Sequence, residues 1–252
     1  MINLKKPFYH FSVDDVIKAL IEVSDRKIPL FEHQFFGFLK ELHDKYGTNV
    51  DLYLFYEVEI NGETRTLRDV PLDLKKTFDK NPWIRFGPHA LNDATKPHTQ
   101  TPDKQMEIFN LIYKEIDRFA GEDKRSTLVR LHYFSESYEL ADYFKKNGVE
   151  ALFTTDKDAL SYRMPEEVKE SLRETGVAEY NGIGFIRTNF RAENFANDNV
   201  KISDVTKIVD GLIKKQDFVS ILTHEYELSR EEVKDVSKEF IKYAVSQGLP
   251  PF

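Results

Sequence analysis

The chain has 252 residues, enough for one large α/β domain or two small ones. Its net charge of −7 argues against a general binder of nucleic acid or acidic membranes, and the absence of cysteine excludes disulfides, thiolate zinc sites and cysteine nucleophiles. Any metal must therefore bind to histidine and carboxylate ligands. We find no signal peptide and no apolar stretch that could span a membrane, so we expect a cytoplasmic protein.

Apolar, β-branched or aromatic runs alternate with segments of helical periodicity along the chain. Strands are predicted at residues 7–13, 50–58, 83–88, 127–134, 150–154, 182–188 and 217–223. The clearest helices are predicted at 30–46, after a cap at Thr101, from Ser137 to Phe144, at 203–214 with Ser203 as cap, and from Ser229 onward. Seven βα units favour a mainly parallel sheet that closes, or nearly closes, into a barrel. Without a linker or an internal repeat, we expect a single domain over residues 1–252.

The first polar cluster follows the first predicted strand, where Asp14 and Asp15 come after Phe11 and Val13. Side chains alternate along a strand, so two neighbours reach one site only where the strand ends and its backbone turns. One aspartate would then be a metal ligand and the other a general base that activates water. The alternative is that Asp14 caps a helix beginning near Val16.

The second cluster lies at the end of the third predicted strand and contains His89, Asp93 and His98. His89 and Asp93 are four residues apart and can share a metal if the segment is helical or tightly turned. Alternatively, hydrogen bonds satisfy His89, and Asp93 is an ordinary turn residue. His98 precedes a predicted helix, and we expect it at the rim of a substrate pocket.

The third cluster, Arg130, His132 and Tyr133, ends the fourth predicted strand. Arg130 can orient a carboxylate such as that of Asp14 through hydrogen bonds, or form an ordinary ion pair with a neighbouring helix. His132 is open to three interpretations: a third metal ligand, a substrate contact or a partly buried strand histidine. Tyr133 would shape the substrate pocket.

The fourth cluster follows the very apolar last predicted strand and consists of His224 and Glu225. A histidine at a strand exit beside an acidic residue suits a general acid that protonates a leaving group, with Glu225 orienting the ring. The alternative is a polar residue at the rim of the barrel.

The order of these clusters resembles that of the polysaccharide deacetylase superfamily, the NodB-homology or family-4 carbohydrate esterase group. That family carries an Asp-Asp pair after its first strand, then His-x-x-x-His, Arg-x-x-Tyr and Leu-x-His. The similar segments here are Phe11–Asp15, His89–Asp93, Arg130–Tyr133 and Leu222–His224. The resemblance extends over nearly the whole chain and implies a distorted (β/α)7 barrel.

The resemblance also implies roles for individual residues. The catalytic residues would be Asp14 as base, Arg130 as the group that orients it, and His224 as acid. The metal ligands would be Asp15, His89 and Asp93, and the substrate contacts His132, Tyr133 and His98. The implied cofactor is a divalent metal, Zn²⁺ first, with Co²⁺, Ni²⁺ or Mn²⁺ as alternatives.

The chain departs from the family pattern at three places. Val16–Ile17 replaces the Gly-Pro that usually follows the aspartate pair. Asp93 stands where the family has its second histidine, so the ligand set gains a second carboxylate unless His98 or His132 substitutes. His132 occupies a position where the family usually has proline.

Three functions are consistent with these patterns. The first is a metal-dependent hydrolase that deacetylates an N- or O-acetylated sugar or glycan precursor. The second is a carbohydrate-binding or regulatory barrel that has lost the activity, and the third is a hydrolase of another amide or ester. The expected partner is a carbohydrate, with neither nucleic acid nor membrane involved, and the oligomeric state is not predicted.

Overall fold

The structure is a computed structural model that describes residues 7–136, 138–155, 157, 163–198, 200–215 and 218–252. Two predicted boundaries lie outside the described residues: Ser137, the start of one helix, and residue 217, the start of the last strand. The same holds for residues 1–6, on which the signal-peptide prediction depends.

The chain alternates between strands and helices along most of its length. The strands are β1 (Phe8–Val16), β2 (Val50–Phe55), β3 (Glu57–Ile60), β4 (Glu63–Thr66), β5 (Ile84–Ala90), β6 (Leu128–Val129), β7 (Ala151–Thr154), β8 (Val177–Tyr180), β9 (Ile183–Arg187), β10 (Phe190–Arg191) and β11 (Phe218–His224). The helices are α1 (Lys18–Arg26), α2 (Gln34–Tyr46), α3 (Leu74–Asp79), α4 (Pro102–Phe119), α5 (Ala141–Lys146), α6 (Glu166–Thr175), α7 (Ala192–Asn197), α8 (Ile202–Ile213) and α9 (Glu231–Ser246). Each of the seven predicted strands overlaps an observed one.

The strands form two sheets, and the order of neighbouring strands across the two sheets is that of a barrel. One sheet has the order β10-β11-β1-β2-β5 and the other β6-β7-β9-β8. All the ladders in them are parallel except β8–β9, and β3–β4 is a separate antiparallel hairpin. The parallel strands β11, β1, β2, β5, β6, β7 and β9 therefore follow one another as in a (β/α)7 barrel.

Two seams distort this barrel. At the first, β5 meets the second sheet through an isolated bridge between Phe86 and Arg125, and Ser126 N donates to Phe86 O at 2.7 Å. At the second, no ladder among the described residues joins β9 to β11, but Asn189 accepts from Ser220 N at 2.9 Å. The predicted distorted barrel is confirmed, with the sheet interrupted at both seams.

The interior is filled by apolar and aromatic side chains, and the helices pack outside the sheets. Phe78, Phe86 and Phe119 meet edge to face, which joins α3 and α4 to β5. Gly87 of β5 leaves room for the Tyr53 ring, because a Cβ there would lie 3.0 Å from Tyr53 Cδ1. Among the described helices, none combines the length and apolar character that crossing a membrane requires.

Of the predicted helix caps, one is confirmed: Thr101 caps α4 through its side chain. Asn181 and Gly182, both at positive φ, form the turn that joins β8 to β9. The predicted caps at Ser203 and Ser229 are wrong. The observed N-caps of α8 and α9 are Lys201 and Arg230, and neither uses its side chain as a cap.

Candidate metal and catalytic site

The carboxyl end of β1 contains a bulge that places both aspartates at one site. The register of β1 against β2 shifts between Val13 and Val16, and Asp15 has a left-handed backbone with φ of 62°. Few residues other than glycine adopt this conformation, and aspartate is one of those that do. Adjacent residues of a regular strand face opposite sides. Because the backbone turns at the bulge, both aspartates can nevertheless reach the same site.

Three acceptor atoms converge next to this bulge. Asp15 Oδ1 lies 3.2 Å from His89 Nε2 and 3.6 Å from His132 Nδ1. Among the described residues, these three side chains form a group whose potential ligand atoms all lie within 4.8 Å of one another. Two imidazoles and one carboxylate are a ligand set that divalent metals use in catalytic sites.

The hydrogen bonds of His89 fix which of its nitrogens faces the group. Its Nδ1 lies 2.7 Å from the carbonyl oxygen of Arg130, which can only accept, so Nδ1 must carry the proton and donate it. In the neutral ring, Nε2 then presents its lone pair to Asp15. This outer hydrogen bond is the arrangement that orients a metal-binding imidazole.

The other two members of the group leave acceptor atoms buried without a donor. Asp15 Oδ1 and His132 Nδ1 have no hydrogen-bond partner in the described part of the chain. Burial is the main cause that lowers the pKa of His132, to about 3, so its ring is neutral at physiological pH. Burial by itself raises the pKa of Asp15, but the neighbouring histidines, His89 first, outweigh it and lower that pKa overall. Together with the lone pair of His89, these acceptors fit a cation placed between them.

Asp14 is held on the other side of the bulge by a buried arginine. Arg130 Nη1 donates to Asp14 Oδ1 at 3.1 Å and to Ser12 Oγ at 2.6 Å. The guanidinium carbon lies 4.5 Å from the centroid of the Phe153 ring, so packing also fixes its plane. This pair is the contact predicted for Arg130, and the alternative of an ion pair with a neighbouring helix does not hold.

His224 stands opposite Asp14 in the β1–β11 register, at the end of β11. Its Nδ1 lies 2.6 Å from Oε1 of Glu193, a residue of α7 that the sequence analysis did not single out. Burial lowers the pKa of His224, but the bond to Glu193 and the charges of Asp14 and Asp15 outweigh it and raise that pKa overall. No local pattern marked Glu193, because it lies 31 residues before its partner.

Glu225 does not orient His224, which corrects the sequence interpretation. Its carboxylate instead accepts from the backbone N–H groups of Ile17 and Lys18, at 2.8 and 3.1 Å, and from that of Ala19. Glu225 thus caps the N-terminus of α1, the role that had been the alternative for Asp14. Burial raises the pKa of Glu225 to about 7, although the three N–H donors favour the carboxylate.

The remaining predicted site residues lie around this centre. Asp93 is exposed in a turn after β5 and does not join the group of three, where His132 takes the third position. The reason is that β5 ends at Ala90 without continuing into a helix, so Asp93 is not carried to the same face as His89. His98 lies 3.2 Å from Ser135 Oγ and is not part of the group of three. Tyr133 is 44% exposed and has φ of 55°.

Two cavities meet at the site. The first, which we call the basic arm, has about 690 Å³ and contains Asp14, His89, Arg130, His132 and His224 in its lining. The second, which we call the acidic arm, has about 600 Å³ and is lined by Glu57, Glu59, Asp93 and apolar side chains of α2 and β2 among others. Asp15 and Tyr226 line both arms. Both volumes are in the range of small-molecule sites.

Solved structures of polysaccharide deacetylases share this fold. A polysaccharide deacetylase from Bacillus cereus matches with a TM-score of 0.52 and 9% identity, over 98% of this chain and 92% of that one. A variant of the peptidoglycan deacetylase PdaC from Bacillus subtilis matches with a TM-score of 0.51 and 14% identity, over 99% and 89% of the two chains. The resemblance seen in the sequence is thereby confirmed at the level of the fold.

The same fold also occurs in an enzyme of a different kind. A 4-alpha-glucanotransferase from Thermococcus litoralis matches with a TM-score of 0.56 and 11% identity, and the chain spans 39% of that enzyme's length. No family model and no curated protein matches the sequence. Because one fold hosts several reactions, the function of this chain has to be argued from its site.

Proposed function

We propose that the protein is a metal-dependent hydrolase that removes an acetyl group from an N- or O-acetylated sugar. The observation that carries the proposal is the group of three converging acceptors, Asp15, His89 and His132, in a cavity that Asp14 and His224 also line. A divalent metal bound there, Zn²⁺ by its preference for this ligand set, would polarise the acetyl carbonyl and acidify a water molecule.

The chain's own residues supply a proton acceptor and a proton donor at that position. Asp14 accepts the proton of the attacking water, and Arg130, which also donates to Ser12, orients its carboxylate. His224 gives a proton to the leaving amine or alcohol, and Glu193 fixes its ring so that Nε2 is free to donate. The raised pKa of His224 favours the protonated form that this role needs.

Two tyrosines beside the site support a sugar substrate. Tyr133 and Tyr226 are 44% and 59% exposed, unusually high for such large rings, and both line the basic arm. The Tyr226 ring also stacks on His224, with ring centroids 5.4 Å apart. An exposed tyrosine offers an apolar face to a sugar ring and a hydroxyl group to its substituents.

The test of the metal site is elemental analysis of His132→Ala and Asp93→Ala, each purified without chelator beside the wild type. We expect about one divalent ion per chain in the wild type and in Asp93→Ala, and none in His132→Ala. Asp93→Ala is the matched control, since the sequence pattern and the geometry disagree over which of these residues is the third ligand. Metal retained by His132→Ala and lost from Asp93→Ala would refute the proposed site.

The reaction is tested by acetate release from N-acetylated oligosaccharides with the wild type and Asp14→Asn. The variant should keep the metal and lose at least about a hundredfold in kcat, because the amide cannot accept the proton of the attacking water. Acetate release that is equal in the two proteins would exclude Asp14 as the base. A silent sugar panel together with hydrolysis of other amides would favour the wider amidase or esterase.

A further inference from the structure

Part of the lining of the basic arm is strongly cationic. Lys157, Lys169, Arg173 and Arg191 all line this cavity, whereas the protein as a whole has a net charge of −7. We call these four residues the basic wall. A concentration of positive charge in one cavity of an acidic protein raises the local potential for an anion.

Among the described residues, the ion pairs of Lys169 and Arg173 do not balance their two positive charges. Lys169 and Arg173, both on α6, share a single carboxylate: Glu166 lies 3.4 Å from Lys169 Nζ and 2.8 Å from Arg173 Nη1. The acidic residues that line the basic arm, within the described residues, are Asp14 and Asp15. The first is paired with Arg130, and the second belongs to the metal-binding group.

The basic wall also has a defined position relative to the catalytic residues. Arg191 is the last residue of β10, which pairs with β11, and its register partner Leu222 lies two residues before His224. Its guanidinium carbon lies 5.3 Å from the centroid of the Phe134 ring, which packs the side chain at the cavity. One molecule can therefore contact the catalytic residues and the basic wall together.

We propose that the substrate is an anionic saccharide whose phosphate or carboxylate group binds to the basic wall while its acetyl group lies at the metal site. The inference rests on the proposed function and narrows its substrate class. Phosphate and carboxylate share the chemistry that this wall recognises, charge-assisted hydrogen bonds to lysine and arginine. A neutral acetylated sugar would make no such bonds to Lys169 and Arg173, which share the one carboxylate of Glu166.

The test compares three substrates that differ in one group: N-acetylglucosamine 1-phosphate, N-acetylmuramic acid, which carries a carboxylate, and the neutral methyl glycoside of N-acetylglucosamine. We expect kcat/KM to be at least about tenfold higher for one of the anionic sugars than for the neutral one, since a charged hydrogen bond contributes about that factor. The anionic sugar with the higher kcat/KM identifies whether the basic wall binds a phosphate or a carboxylate group. Equal values for all three would overturn the proposal.

The double variant Lys169→Gln with Arg173→Gln tests the basic wall itself. It should lower kcat/KM for the anionic sugar by about tenfold or more and leave the neutral sugar within about twofold. Its matched control is Lys207→Gln with Lys242→Gln, which also removes two charges from helices, each paired three residues away and far from this lining. An equal loss for all substrates would mean a structural role and would overturn the proposal.

Binding separates a failure of this inference from a failure of the proposed function. Calorimetric titration with N-acetylglucosamine 1-phosphate should show affinity that falls in the double variant and at high salt, even if no acetate is ever released. That result would support the anionic saccharide while refuting the hydrolase. Acetate release with no effect of the double variant would support the hydrolase and refute the anionic saccharide. Inorganic phosphate that binds as tightly as the sugar phosphate would also refute the anionic saccharide, because the sugar would then add nothing to the affinity.

Discussion

The two ends of β1 carry the same types of side chain with opposite outcomes. Near its amino end, His10 Nε2 and Arg85 Nε each lie 2.7 Å from a different oxygen of Asp51, in what we call the floor network. Near its carboxyl end, Asp15 and His89 converge with His132 without a donor to satisfy their acceptors. Both assemblies are histidine–carboxylate groups inside one barrel.

The difference teaches that residue type does not distinguish a structural cluster from a reactive one. In the floor network, burial raises the pKa of Asp51, but Arg85 and His10 outweigh it and lower that pKa overall, so the buried carboxylate stays charged. Burial lowers the pKa of His10, which remains neutral and donates through Nε2. In the floor network, donors of His10 and Arg85 meet both oxygens of Asp51, whereas at the other end the described acceptor atoms face one another.

The largest expected effect comes from breaking the floor network with Asp51→Ala. Removing a fully buried carboxylate leaves Arg85 and His10 without their partner, and we expect the free energy of unfolding to fall by about 3–5 kcal/mol. Urea denaturation measures the change. Metal content per folded molecule should not change. If the free energy of unfolding falls by less than about 1 kcal/mol, the floor network does not have the structural role that separates it from the other end of β1.

The second effect concerns the carboxyl end of β1, where we expect a substitution to cost little stability but to remove the stabilisation by metal. We expect Asp15→Asn to cost less than about 1 kcal/mol in metal-free protein, because the amide can donate to a histidine nitrogen that otherwise lacks a donor. Zinc at a hundredfold excess over its Kd should stabilise the wild type by about 2.7 kcal/mol and the variant not at all. Thermal unfolding with and without Zn²⁺ gives both numbers. Equal stabilisation of the two proteins would contradict the assignment of Asp15 as a ligand.

The smallest expected effect comes from replacing Glu193, the partner of His224 at the carboxyl end of β11. A histidine whose pKa is raised keeps its proton to higher pH, so an activity that needs the acid form is lost only as pH rises through that value. Glu193→Gln removes part of the cause and should shift the alkaline limb of the kcat/KM profile to lower pH. The accompanying loss of activity should be about tenfold, or 1.4 kcal/mol. A tenfold loss with an unmoved limb would show that Glu193 only supports the local packing.

The sequence was informative where the relevant physics is local. Apolar runs ending in polar residues located seven of the parallel strands, all except the short β10, and strand exits must meet at the same edge of a parallel sheet. That is why Asp14, Asp15, His89, Arg130 and His224 were expected together, and the geometry brings them together. The neighbouring aspartates also required a backbone turn, which the positive φ of Asp15 supplies.

The sequence by itself therefore determined the class of fold and the edge at which polar residues gather, because hydrophobic periodicity is a property of short segments. Only the tertiary structure shows that His132, and not Asp93, lies beside Asp15 and His89, and that Glu193, and not Glu225, bonds to His224, because these contacts join side chains 31 or more residues apart. The basic wall also depends on the tertiary structure. α6 and β10 contribute cations that show no pattern in the sequence, and these cations line one cavity only in the folded chain.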